Sequence, residues 1–473
     1  MTISKRGVQL HESRFHFVGI GGIGMCGLAE LLHNIGAKVT GSDQGENANT
    51  AHLKKIGIQI FKGHRPEQVG DVDVVVYSSA INSENPELKE ARARKIPLIP
   101  RAEALAEIMR LKRGLAVAGT HGKTTTTSMA AAIFLEAGSQ PTIVVGGRLD
   151  LIQSTALLGQ GDWLIAEADE SDGSFKRLSP EIAIITNIDS DHLDYFKTFE
   201  NLQKAFLSFA EKIPFYGATI ICGDDQILKS LFENYPKTVF CYGFNENNDY
   251  VIRGSNGKYE LFFDSKKLGE FQLHVPGTHN ALNAVAAIVA GLRAGFSFEV
   301  CQEGLLRFQG VDRRFHFKGE LKTPTRDELK QSAKEQAKNI LIYDDYGHHP
   351  TEVKATLQGF REKFPDRRIV VLFQPHRYSR TQNCWHEFTT CFSQCDVLFL
   401  TDIYSAGEKP MEGITSERLA HEIKHDHVEY LPKSEELSQS LLKSLKSGDV
   451  FLTLGAGDVW KVGMALLQSE KGL

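Results

Sequence analysis

The chain has 473 residues, of which 41% are hydrophobic and 24% are charged, a composition typical of a globular protein with about three domains. Its formal charge of −5 arises from interspersed basic and acidic residues, which gives no indication of a nucleic-acid partner or of a membrane surface. A membrane-spanning chain is excluded, because no apolar run approaches the ~20 residues that cross a bilayer.

The N-terminal segment and the cysteines indicate the compartment. Residues 1–12 are polar and lack the apolar core of a signal peptide, so we expect a cytoplasmic protein. The seven cysteines are scattered and odd in number, and Cys391 and Cys395 have no second pair of metal ligands nearby. We therefore predict free thiols in a reducing compartment.

Short β-rich apolar runs alternate with longer helical stretches, which predicts an α/β fold with parallel sheets. The alternation falls into three blocks, and we predict domains at 1–110, 111–312 and 313–473. The expected strands lie at 14–18, 38–40 and 72–77, then at 115–118, 163–166, 182–185 and 220–222, and finally at 340–343, 369–373, 397–400 and 450–454. The second block also holds a more antiparallel segment, with strands at 240–242, 260–263 and 271–273. The expected helices include 25–35, 102–109, one ending near 138 and one reaching 289, and the charge-dense segment 322–338 is interpreted as a surface excursion.

A glycine-rich turn follows the first strand and precedes the first helix. Gly19, Gly21 and Gly24 fit the pattern G-x-G-x-x-G, with Gly22 between them. This pattern indicates a Rossmann-like domain in which a diphosphate lies on the helix N-terminus. Asp43, about 20 positions later, is placed as a ribose-binding carboxylate would be. The motif predicts a diphosphate and a ribose, but it does not specify a nicotinamide.

The strongest motif lies between a strand and a helix of the second block, and its sequence is Gly119-Thr120-His121-Gly122-Lys123-Thr124-Thr125. The N–H groups of such a turn, a helix N-terminus and a lysine together hold a phosphate chain. Thr124, directly after the lysine, is placed to put its hydroxyl on Mg²⁺. The full P-loop pattern has a glycine where Val117 stands. Because strand, loop and helix follow in the right order, we still predict a P-loop-type central domain.

Two later strands of the second block end in polar clusters. One cluster comprises Glu167, Asp169, Glu170 and Asp172, and the other comprises Asn187, Asp189, Asp191, His192 and Asp194. Ligands of parallel α/β sheets sit at the carboxyl ends of the strands, so we expect the lysine, the carboxylates and the histidine to meet at one edge. The clusters therefore predict a metal–nucleotide site.

The third block carries two polar strand ends and a final glycine turn. Residues 344–352, Asp-Asp-Tyr-Gly-His-His-Pro-Thr-Glu, and residues 374–381, Gln-Pro-His-Arg-Tyr-Ser-Arg-Thr, each follow a strand. Arginines at strand ends suit a carboxylate or phosphate that is held bidentately. Adjacent histidines without a third ligand make a poor zinc site, so substrate hydrogen bonding or a helix N-terminus at Pro350 is the better interpretation. The turn 455–458 is either anion-facing or a tight connection.

Together these motifs resemble the Mur ligase family over essentially the whole chain. The resemblance is carried by residues 19–25, 119–125, 167–171, 187–194, 276–283, 313–314, 344–352 and 376–381. It implies a UDP-sugar in the N-terminal domain, ATP and Mg²⁺ in the central domain, and the incoming amino acid in a Rossmann-like C-terminal domain. The string at 344–352 is most typical of the member that adds L-alanine.

The resemblance also implies roles for individual residues. The expected UDP-sugar-binding residues are Gly19, Gly21, Gly22, Gly24, Asp43 and Ser78. The expected ATP-binding residues are Gly119, Thr120, His121, Gly122, Lys123, Thr124, Thr125, Asn280, Asn283, Arg314 and Asp345, and the expected Mg²⁺ ligands are Thr124, Glu167 and His192. Tyr346, His348, Arg377 and Arg380 are expected to line the muramate carboxylate and the amino acid. Lys123, His192, His348, Arg377 and Arg380 are the expected catalytic residues.

The implied reaction is ATP-dependent amide formation. The γ-phosphate of ATP passes to the lactyl carboxylate of UDP-N-acetylmuramate, and the amine of L-alanine attacks the acyl phosphate, giving ADP and phosphate. Lys123, Mg²⁺ and the arginines stabilise the phosphoryl charge, and domain closure excludes water. His348 or a neighbouring histidine is a candidate general base.

The sequence departs from the family pattern at two places. Several relatives carry a carbamylated lysine that binds a second Mg²⁺, and here that place is near Leu207. The segment 322–338 is also longer than the family pattern suggests.

Four other functions fit part of the sequence. Within the family, a recycling ligase adds a preformed murein tripeptide to the same UDP-sugar, and Asp345-Tyr346-Gly347 argues against it. Folylpoly-γ-glutamate synthesis is disfavoured by the N-terminal glycine-rich domain. From other classes, a nicotinamide-dependent oxidoreductase would rest on residues 19–24 alone, and a nucleotide-driven switch protein would need no second substrate. We expect neither a nucleic-acid nor a membrane partner, and the sequence leaves monomer or homodimer open.

Overall fold

The computed structural model describes residues 12–78, 80–149, 151–152, 154–308, 310–322 and 339–469. The segment interpreted above as a surface excursion lies, apart from Lys322, outside the described residues. The chain forms two compact units. Unit 1 consists of the described residues of Met1–Gly254, Lys258–Leu273 and Ala281–Gln309, and unit 2 of those of Ser255–Gly257, His274–Asn280 and Gly310–Leu473. The three domain boundaries given above stay predictions.

The first sheet of unit 1 has five parallel strands in the order β3-β2-β1-β4-β5. Its elements are β1 (Arg14–Val18), α1 (Ile23–Ile35), β2 (Lys38–Asp43), α2 (Ala48–Lys55), β3 (Gln59–Lys62), β4 (Val74–Tyr77), α3 (Pro86–Ala93), β5 (Leu98–Pro100) and α4 (Arg101–Met109). The helix α1 ends where Gly36 adopts a φ of 103°, a left-handed cap conformation that glycine favours. The glycine-rich turn thus stands at the carboxyl end of the central strand.

The second sheet of unit 1 has ten strands in the order β15-β14-β13-β12-β11-β10-β6-β9-β7-β8. The elements of its first half are β6 (Arg113–Ala118), α5 (Lys123–Glu136), β7 (Thr142–Leu149), β8 (Ser154–Leu157), β9 (Trp163–Glu167), β10 (Ile182–Ile185), α6 (Leu193–Phe196) and α7 (Phe199–Ala210). Those of its second half are β11 (Ala218–Cys222), α8 (Gln226–Phe232), β12 (Val239–Gly243), β13 (Tyr250–Ser255), β14 (Lys258–Phe263), β15 (Lys266–Gln272), α9 (Thr278–Arg293) and α10 (Phe298–Arg307). The strands β6, β9 and β10 are parallel neighbours, and their carboxyl ends carry the motifs predicted to bind a nucleotide.

The antiparallel segment predicted around residues 240–273 is only partly correct. Strand β12, which contains the predicted strand 240–242, pairs parallel with both β11 and β13. Antiparallel pairing is found in the hairpin of β14 and β15. The apolar run of β12 fits either direction, and the direction is set by α8, which returns the chain to the start of the sheet as a crossover helix does.

The sheet of unit 2 has six strands in the order β16-β17-β21-β18-β19-β20. Its elements are β16 (His316–Leu321), β17 (Ile340–Asp345), α11 (Pro350–Lys363), β18 (Ile369–Phe373), α12 (Tyr378–Asn383), α13 (Trp385–Phe388), β19 (Val397–Leu400), α14 (Ser416–Glu422), β20 (Val428–Tyr430), α15 (Leu437–Ser444), β21 (Val450–Leu454) and α16 (Trp460–Ser469). Only the first pair of strands is antiparallel. The four strands predicted for this block are confirmed, and apolar clusters cover both faces of the sheet.

Two expectations from composition concern the whole chain. Within the described ranges, no helix combines the length and apolar character needed to cross a membrane. All seven cysteines are free thiols, as predicted. Six of them are buried, so they serve as small apolar side chains.

Candidate functional site

The loop between β6 and α5 has room only for glycine at two positions. Gly119 has a φ of 126°, and a Cβ atom there would lie 2.0 Å from Thr186 Oγ1. Gly122 has a φ of 82°, and a Cβ atom there would lie 2.6 Å from Asn283 Oδ1. The loop therefore packs directly against the end of β10 and against Asn283 of α9.

Hydrogen bonds from the end of β10 fix the shape of this loop. The N–H of His121 donates to Asn187 Oδ1 at 2.8 Å, and Asn187 Nδ2 donates to the His121 carbonyl at 3.0 Å. His121 Nε2 lies 3.0 Å from Asp189 Oδ2, and the Asp189 N–H donates to Thr120 Oγ1 at 2.9 Å. The polar cluster after β10, through Asn187 and Asp189, thus fixes the shape of the loop that is predicted to bind phosphate.

Lys123 lies in the first turn of α5 with its ammonium group turned toward its own loop. Its Nζ atom donates to the carbonyl oxygens of Gly119 at 2.7 Å and Thr120 at 3.1 Å, and to Glu170 Oε1 at 2.8 Å. These bonds use all three ammonium protons. A phosphate that binds Lys123 must therefore replace one of these acceptors.

Three carboxylates surround this single ammonium group. Burial lowers the pKa of Lys123, but the charges of Glu170, Asp169 and Glu167 outweigh burial and leave that pKa raised. Burial raises the pKa of Glu170 to about 7, and Asp169 adds to this rise while Lys123 opposes it. Lys123, together with Arg101 beside Asp169, gives two cations for three acidic groups, so the site favours a further cation.

Thr124 and Glu167 are two predicted magnesium ligands that the structure brings together. The Thr124 hydroxyl donates to Glu167 Oε2 at 2.9 Å, and the Gly146 N–H donates to the same oxygen at 3.0 Å. Adjacent oxygens around an octahedral Mg²⁺ ion lie about 2.9 Å apart, because each Mg–O distance is about 2.1 Å. A hydroxyl and a carboxylate oxygen at this spacing fit Mg²⁺.

His192, the third predicted ligand, lies beside Glu170. Its Nε2 atom is 3.7 Å from Glu170 Oε1. The backbone of His192 has a φ of 56°, a conformation that costs energy in a residue other than glycine and that concentrates at functional sites. Glu170, which contacts both Lys123 and His192, is fully buried and was given no role from the sequence. Its place in the cluster after β9 was the only sequence signal for it.

The residues predicted to bind a UDP-sugar surround the first glycine turn. Gly19 has a φ of 81°, and a Cβ atom there would lie 3.7 Å from Ser78 Cβ. The N–H of Gly21 donates to Asp43 Oδ2 at 2.9 Å, so Asp43 fixes the turn. Gly22 is the N-cap of α1, and among the described residues no side chain caps this end. The positive end of the α1 dipole is therefore open to an anion.

Asn280 and Asn283 lie one turn apart on α9, as their spacing predicts. Asn283 belongs to unit 1 and lies against the glycine loop. Asn280 belongs to unit 2, where its Nδ2 atom donates to the Pro276 carbonyl at 2.6 Å. The structure thus places Asn283 at the loop with Lys123.

Asp345 and Arg314, predicted to serve the nucleotide, lie at the end of β17 in unit 2. Asp345 Oδ2 accepts from the Phe315 N–H at 2.7 Å, and Oδ1 accepts from the Gly347 N–H at 2.8 Å. Burial raises the pKa of Asp345, while Arg314 opposes that rise. Arg314 Nη1 lies 3.4 Å from Glu352 Oε1. Asp345 therefore shapes the turn that carries the neighbouring candidate residues.

An aromatic and cationic cluster joins the candidate amino-acid residues of unit 2. The ring of Tyr346 is centred 5.3 Å from that of His348, which is centred 5.6 Å from that of His376. Arg380 Nη1 lies 3.3 Å from His376 Nδ1. His376 belongs to the motif at 376–381, but the sequence indicated no role for it. The structure brings it into this cluster.

Arg377 stands at the N-cap of α12 in a strained backbone conformation. Its φ is 68°, and its N–H donates to the Tyr404 carbonyl at 2.8 Å. Its carbonyl accepts from Thr381 Oγ1 at 2.8 Å. These bonds hold an unfavourable conformation, which is typical of a residue whose position matters for function.

Both histidines of this cluster are neutral near pH 7. Burial is the largest of the effects that lower the pKa of His348 to about 3, with Arg380 and His376 adding to it and Glu352 opposing it. Burial, Arg380 and Arg377 lower the pKa of His376 to about 4. The positive charge of the cluster is therefore carried by its arginines, which suits a carboxylate or phosphate.

Arg313 ties the final glycine turn to the end of β17. Its Nη2 atom donates to the Gly455 carbonyl at 2.6 Å, and its Nη1 atom donates to the Gly457 carbonyl at 3.1 Å. Its Nε atom donates to Asp344 Oδ2 at 2.9 Å. Because carbonyl oxygens of the turn face Arg313, the structure favours the tight connection over the anion-facing interpretation.

Three family models match the chain in order. They are the Mur ligase family catalytic domain over residues 14–113, the Mur ligase middle domain over 117–291 and the Mur ligase glutamate ligase domain over 328–457. A UDP-N-acetylmuramate–L-alanine ligase from Bdellovibrio bacteriovorus is 64% identical over 466 residues, which cover 97% of this chain and 99% of that protein. One from Geobacter sp. is 48% identical over 462 residues, which cover 96% of this chain and 97% of that protein.

Two solved structures have the same architecture. The UDP-N-acetylmuramate–alanine ligase of Thermotoga maritima matches with a TM-score of 0.79 and 29% identity, covering 98% of this chain and 100% of that one. A murein peptide ligase of Psychrobacter arcticus matches with a TM-score of 0.70 and 22% identity, covering 98% of this chain and 99% of that one. The second likeness concerns the fold alone.

Proposed function

The chain belongs to the Mur ligase family, and we propose that it joins L-alanine to the lactyl carboxylate of UDP-N-acetylmuramate with conversion of ATP to ADP and phosphate. The observation that carries this function is the 64% identity to an L-alanine ligase over 97% of the chain. The reaction supplies a precursor of peptidoglycan.

The glycine loop and Lys123 hold the phosphates of ATP. The N-terminus of α5 directs backbone N–H groups into the loop, and Lys123 exchanges the Glu170 carboxylate for a phosphate oxygen. Since the pKa of Glu170 is raised to about 7, this carboxyl group can take up a proton when its cation leaves. The exchange therefore avoids leaving an unpaired charge in a buried site.

Thr124, Glu167 and His192 would hold Mg²⁺. When bound, the ion offsets charge on the transferring phosphoryl group. Glu167 already accepts from the Thr124 hydroxyl and the Gly146 N–H, so its carboxylate is oriented before any ion binds. Glu170 contacts His192 and limits how its imidazole turns.

Arg377 and Arg380 bind and orient substrate carboxylates. The strained backbone at Arg377 and the contact of Arg380 with His376 fix the positions of the two guanidinium groups before a substrate binds. Tyr346 and His348 complete the cluster. The neutral imidazole of His348 has one nitrogen that can accept a hydrogen bond from an amine, which a protonated imidazole lacks. Burial lowers the pKa of His348 and weakens it as a base toward an ammonium group, which argues for positioning by His348.

An isotope experiment tests the reaction. With ¹⁸O in the lactyl carboxylate of UDP-N-acetylmuramate, we expect one labelled oxygen in the phosphate that is released with ADP, because that oxygen bridges carbon and phosphorus in the acyl phosphate. The control omits L-alanine. Unlabelled phosphate together with normal amide formation would contradict the proposed mechanism.

A competition experiment separates the two ligase functions. With equal concentrations of L-alanine and murein tripeptide, we expect the L-alanine product alone. Use of the tripeptide in preference to L-alanine would identify the recycling ligase instead.

A further inference from the structure

Arg101 occupies a position at which helix electrostatics disfavour a cation. It is the first residue of α4, directly after Pro100, and no side chain of the described residues caps that end. The N-terminus of a helix carries partial positive charge, so an arginine there gains nothing from the helix dipole. A residue that works against its own helix points to a role outside that helix.

Gly24, the third glycine of the first turn, leaves space for this arginine. A Cβ atom at Gly24 would lie 2.6 Å from Arg101 Nη1 and 3.1 Å from its Cζ atom. The φ angle of Gly24 is not positive, so its backbone conformation is one that any residue can adopt. A Cβ atom at position 24 would therefore displace the guanidinium group of Arg101.

The guanidinium group has few partners of its own. Its ion pair is with Asp169, at 3.5 Å from Nη2 to Oδ2, and no hydrogen bond from the group is found in the described part of the chain. The Arg101 side chain is 25% exposed and that of Asp169 is 40% exposed. A guanidinium group offers five N–H donors, so most of them remain available to a ligand.

The acidic residue nearest to the first glycine turn is already engaged. Asp43 accepts from the Gly21 N–H at 2.9 Å and from the Gly45 N–H at 3.2 Å. The first turn of α1 has no acidic residue. The open end of α1 and the guanidinium of Arg101 thus present two positive groups side by side, and a diphosphate is the anion that matches both.

We propose that Arg101 binds the diphosphate of UDP-N-acetylmuramate at the N-terminus of α1 and exchanges its contact with Asp169 for that anion. The inference rests on the proposed function and assigns to that substrate a residue outside the G-x-G-x-x-G motif. Asp169 also lies close enough to Lys123 for its charge to raise the pKa of that lysine. Arg101 therefore connects the sugar-nucleotide turn with the acidic groups around Lys123 within unit 1.

Calorimetric titration with UDP-N-acetylmuramate tests the assignment. We expect Arg101→Ala to raise the Kd for the sugar nucleotide by about 10- to 100-fold, as loss of a charge-assisted hydrogen bond does. Arg101→Lys keeps the charge without the planar fork and should give a smaller rise. The Kd for a non-hydrolysable ATP analogue should not change in either variant.

Arg177→Ala is the matched control. Arg177 forms an ion pair with Glu103, which lies on α4 like Arg101. The side chain of Arg177 is 51% exposed. This variant should bind the sugar nucleotide as the unchanged protein does. An equal loss in both variants would mean that the packing of α4, and not the Arg101 guanidinium, controls binding, and would overturn the inference.

A double-mutant cycle identifies the purpose of Gly24. Gly24→Ala should weaken sugar-nucleotide binding in the unchanged protein, because the new methyl group displaces the guanidinium. In the Arg101→Ala background the same change should have little further effect. Equal losses in both backgrounds would overturn the inference. If the unchanged protein itself does not bind UDP-N-acetylmuramate, the proposed function fails, whereas normal binding by both Arg101 variants refutes the inference alone.

Discussion

Glu87 and Glu170, two glutamates of unit 1, are both fully buried, yet the pKa values of their carboxyl groups move in opposite directions. Burial raises the pKa of Glu87, but hydrogen bonds and charge from His16, Ser42 and His64 together outweigh it and leave the pKa lowered. Glu170 has instead the ammonium of Lys123, which also serves two carbonyl oxygens. The number of donors that each carboxylate receives, together with the negative charge of Asp169 near Glu170, explains the difference.

The polar neighbours of Glu87 come from two strands of the first sheet and from the loop after β3. Ser42 donates to Glu87 Oε2 at 2.5 Å, His64 Nδ1 lies 3.1 Å from the same oxygen, and His16 Nε2 lies 3.4 Å from Oε1. This cluster joins β1, β2, the loop after β3 and α3, and it gives Glu87 three polar neighbours. The site of Glu170 has too few cations for its carboxylates. A buried acid that lacks donors indicates a ligand site, whereas a buried acid with several donors indicates a structural one.

The largest expected effect is on the site of Glu170. Lys123→Ala should lower kcat by about 10³-fold, because the ammonium group stabilises charge that develops on the transferred phosphoryl group. The Kd for UDP-N-acetylmuramate should stay nearly unchanged, since its predicted site is a separate turn. Turnover assays and calorimetry measure the two quantities.

Lys112 provides the matched control for Lys123. Its ammonium group also donates to loop carbonyls, those of Gly159 and Gly161, and it forms no ion pair within the described part of the chain. Lys112→Ala should leave kcat nearly unchanged. A loss of sugar-nucleotide binding in Lys123→Ala would contradict the assignment of the two substrates to separate turns.

The next effect concerns the structural site. Glu87→Ala removes the buried carboxylate that Ser42, His64 and His16 face, and we expect a loss of about 3 kcal/mol in the free energy of unfolding. Thermal unfolding followed by circular dichroism measures this loss as a lower Tm. Glu90→Ala, on the same helix but in a partly exposed pair with Arg94, should change Tm little. Equal Tm values for the two variants would show that the Glu87 cluster does not hold the sheet.

A smaller effect is expected from the proposed magnesium ligand. Glu167→Gln should raise the Mg²⁺ concentration for half-maximal activity about tenfold, because a neutral amide is a weaker ligand for a hard cation. A magnesium titration at saturating ATP measures it, with Glu181→Gln, which alters an ion pair with Arg113, as the control. An unchanged titration would remove Glu167 from the ligand set.

The smallest expected effect is the pH dependence of stability, which has opposite signs for Glu170 and Glu87. The folded-state pKa of Glu170 is raised from 4.5 to about 7, so the folded protein loses stability as pH rises from about 4.5 to 7. Glu170→Gln removes this loss, and its Tm should exceed that of the unchanged protein by a margin that widens over this range. The lowered pKa of Glu87 acts the other way, because its stabilisation is present above pH 4.5 and is lost as pH falls through the lowered value. A constant Tm difference from pH 5 to 8 would contradict the raised pKa of Glu170.

The sequence predicted the elements that local pattern determines. Apolar runs located the parallel strands, and the position of the glycine loop between β6 and α5 followed from the strand and helix on either side. The direction of β12 was predicted wrongly, because an apolar run carries no information about its partner strand. Pairing depends on the crossover helix and on neighbours far along the chain.

The candidate site was predictable to a similar degree. The hydrogen bond between Thr124 and Glu167 agrees with the expectation that polar residues meet at the carboxyl ends of the parallel strands. The role of Glu170 was not apparent, because its full burial depends on the loop after β9. The contact between Gly24 and Arg101 joins residues 77 positions apart, and no motif spacing indicates it. Which of several acidic residues becomes desolvated is decided by packing rather than by motif.

The tight fit of Gly119 and Gly122 has a consequence for inhibitors. Every single-base change in a glycine codon that alters the residue introduces a Cβ atom or stops the chain. At these two positions that atom would lie 2.0 Å from Thr186 Oγ1 and 2.6 Å from Asn283 Oδ1. A compound that binds chiefly to the backbone of this loop therefore leaves the cell few routes to resistance within the loop itself.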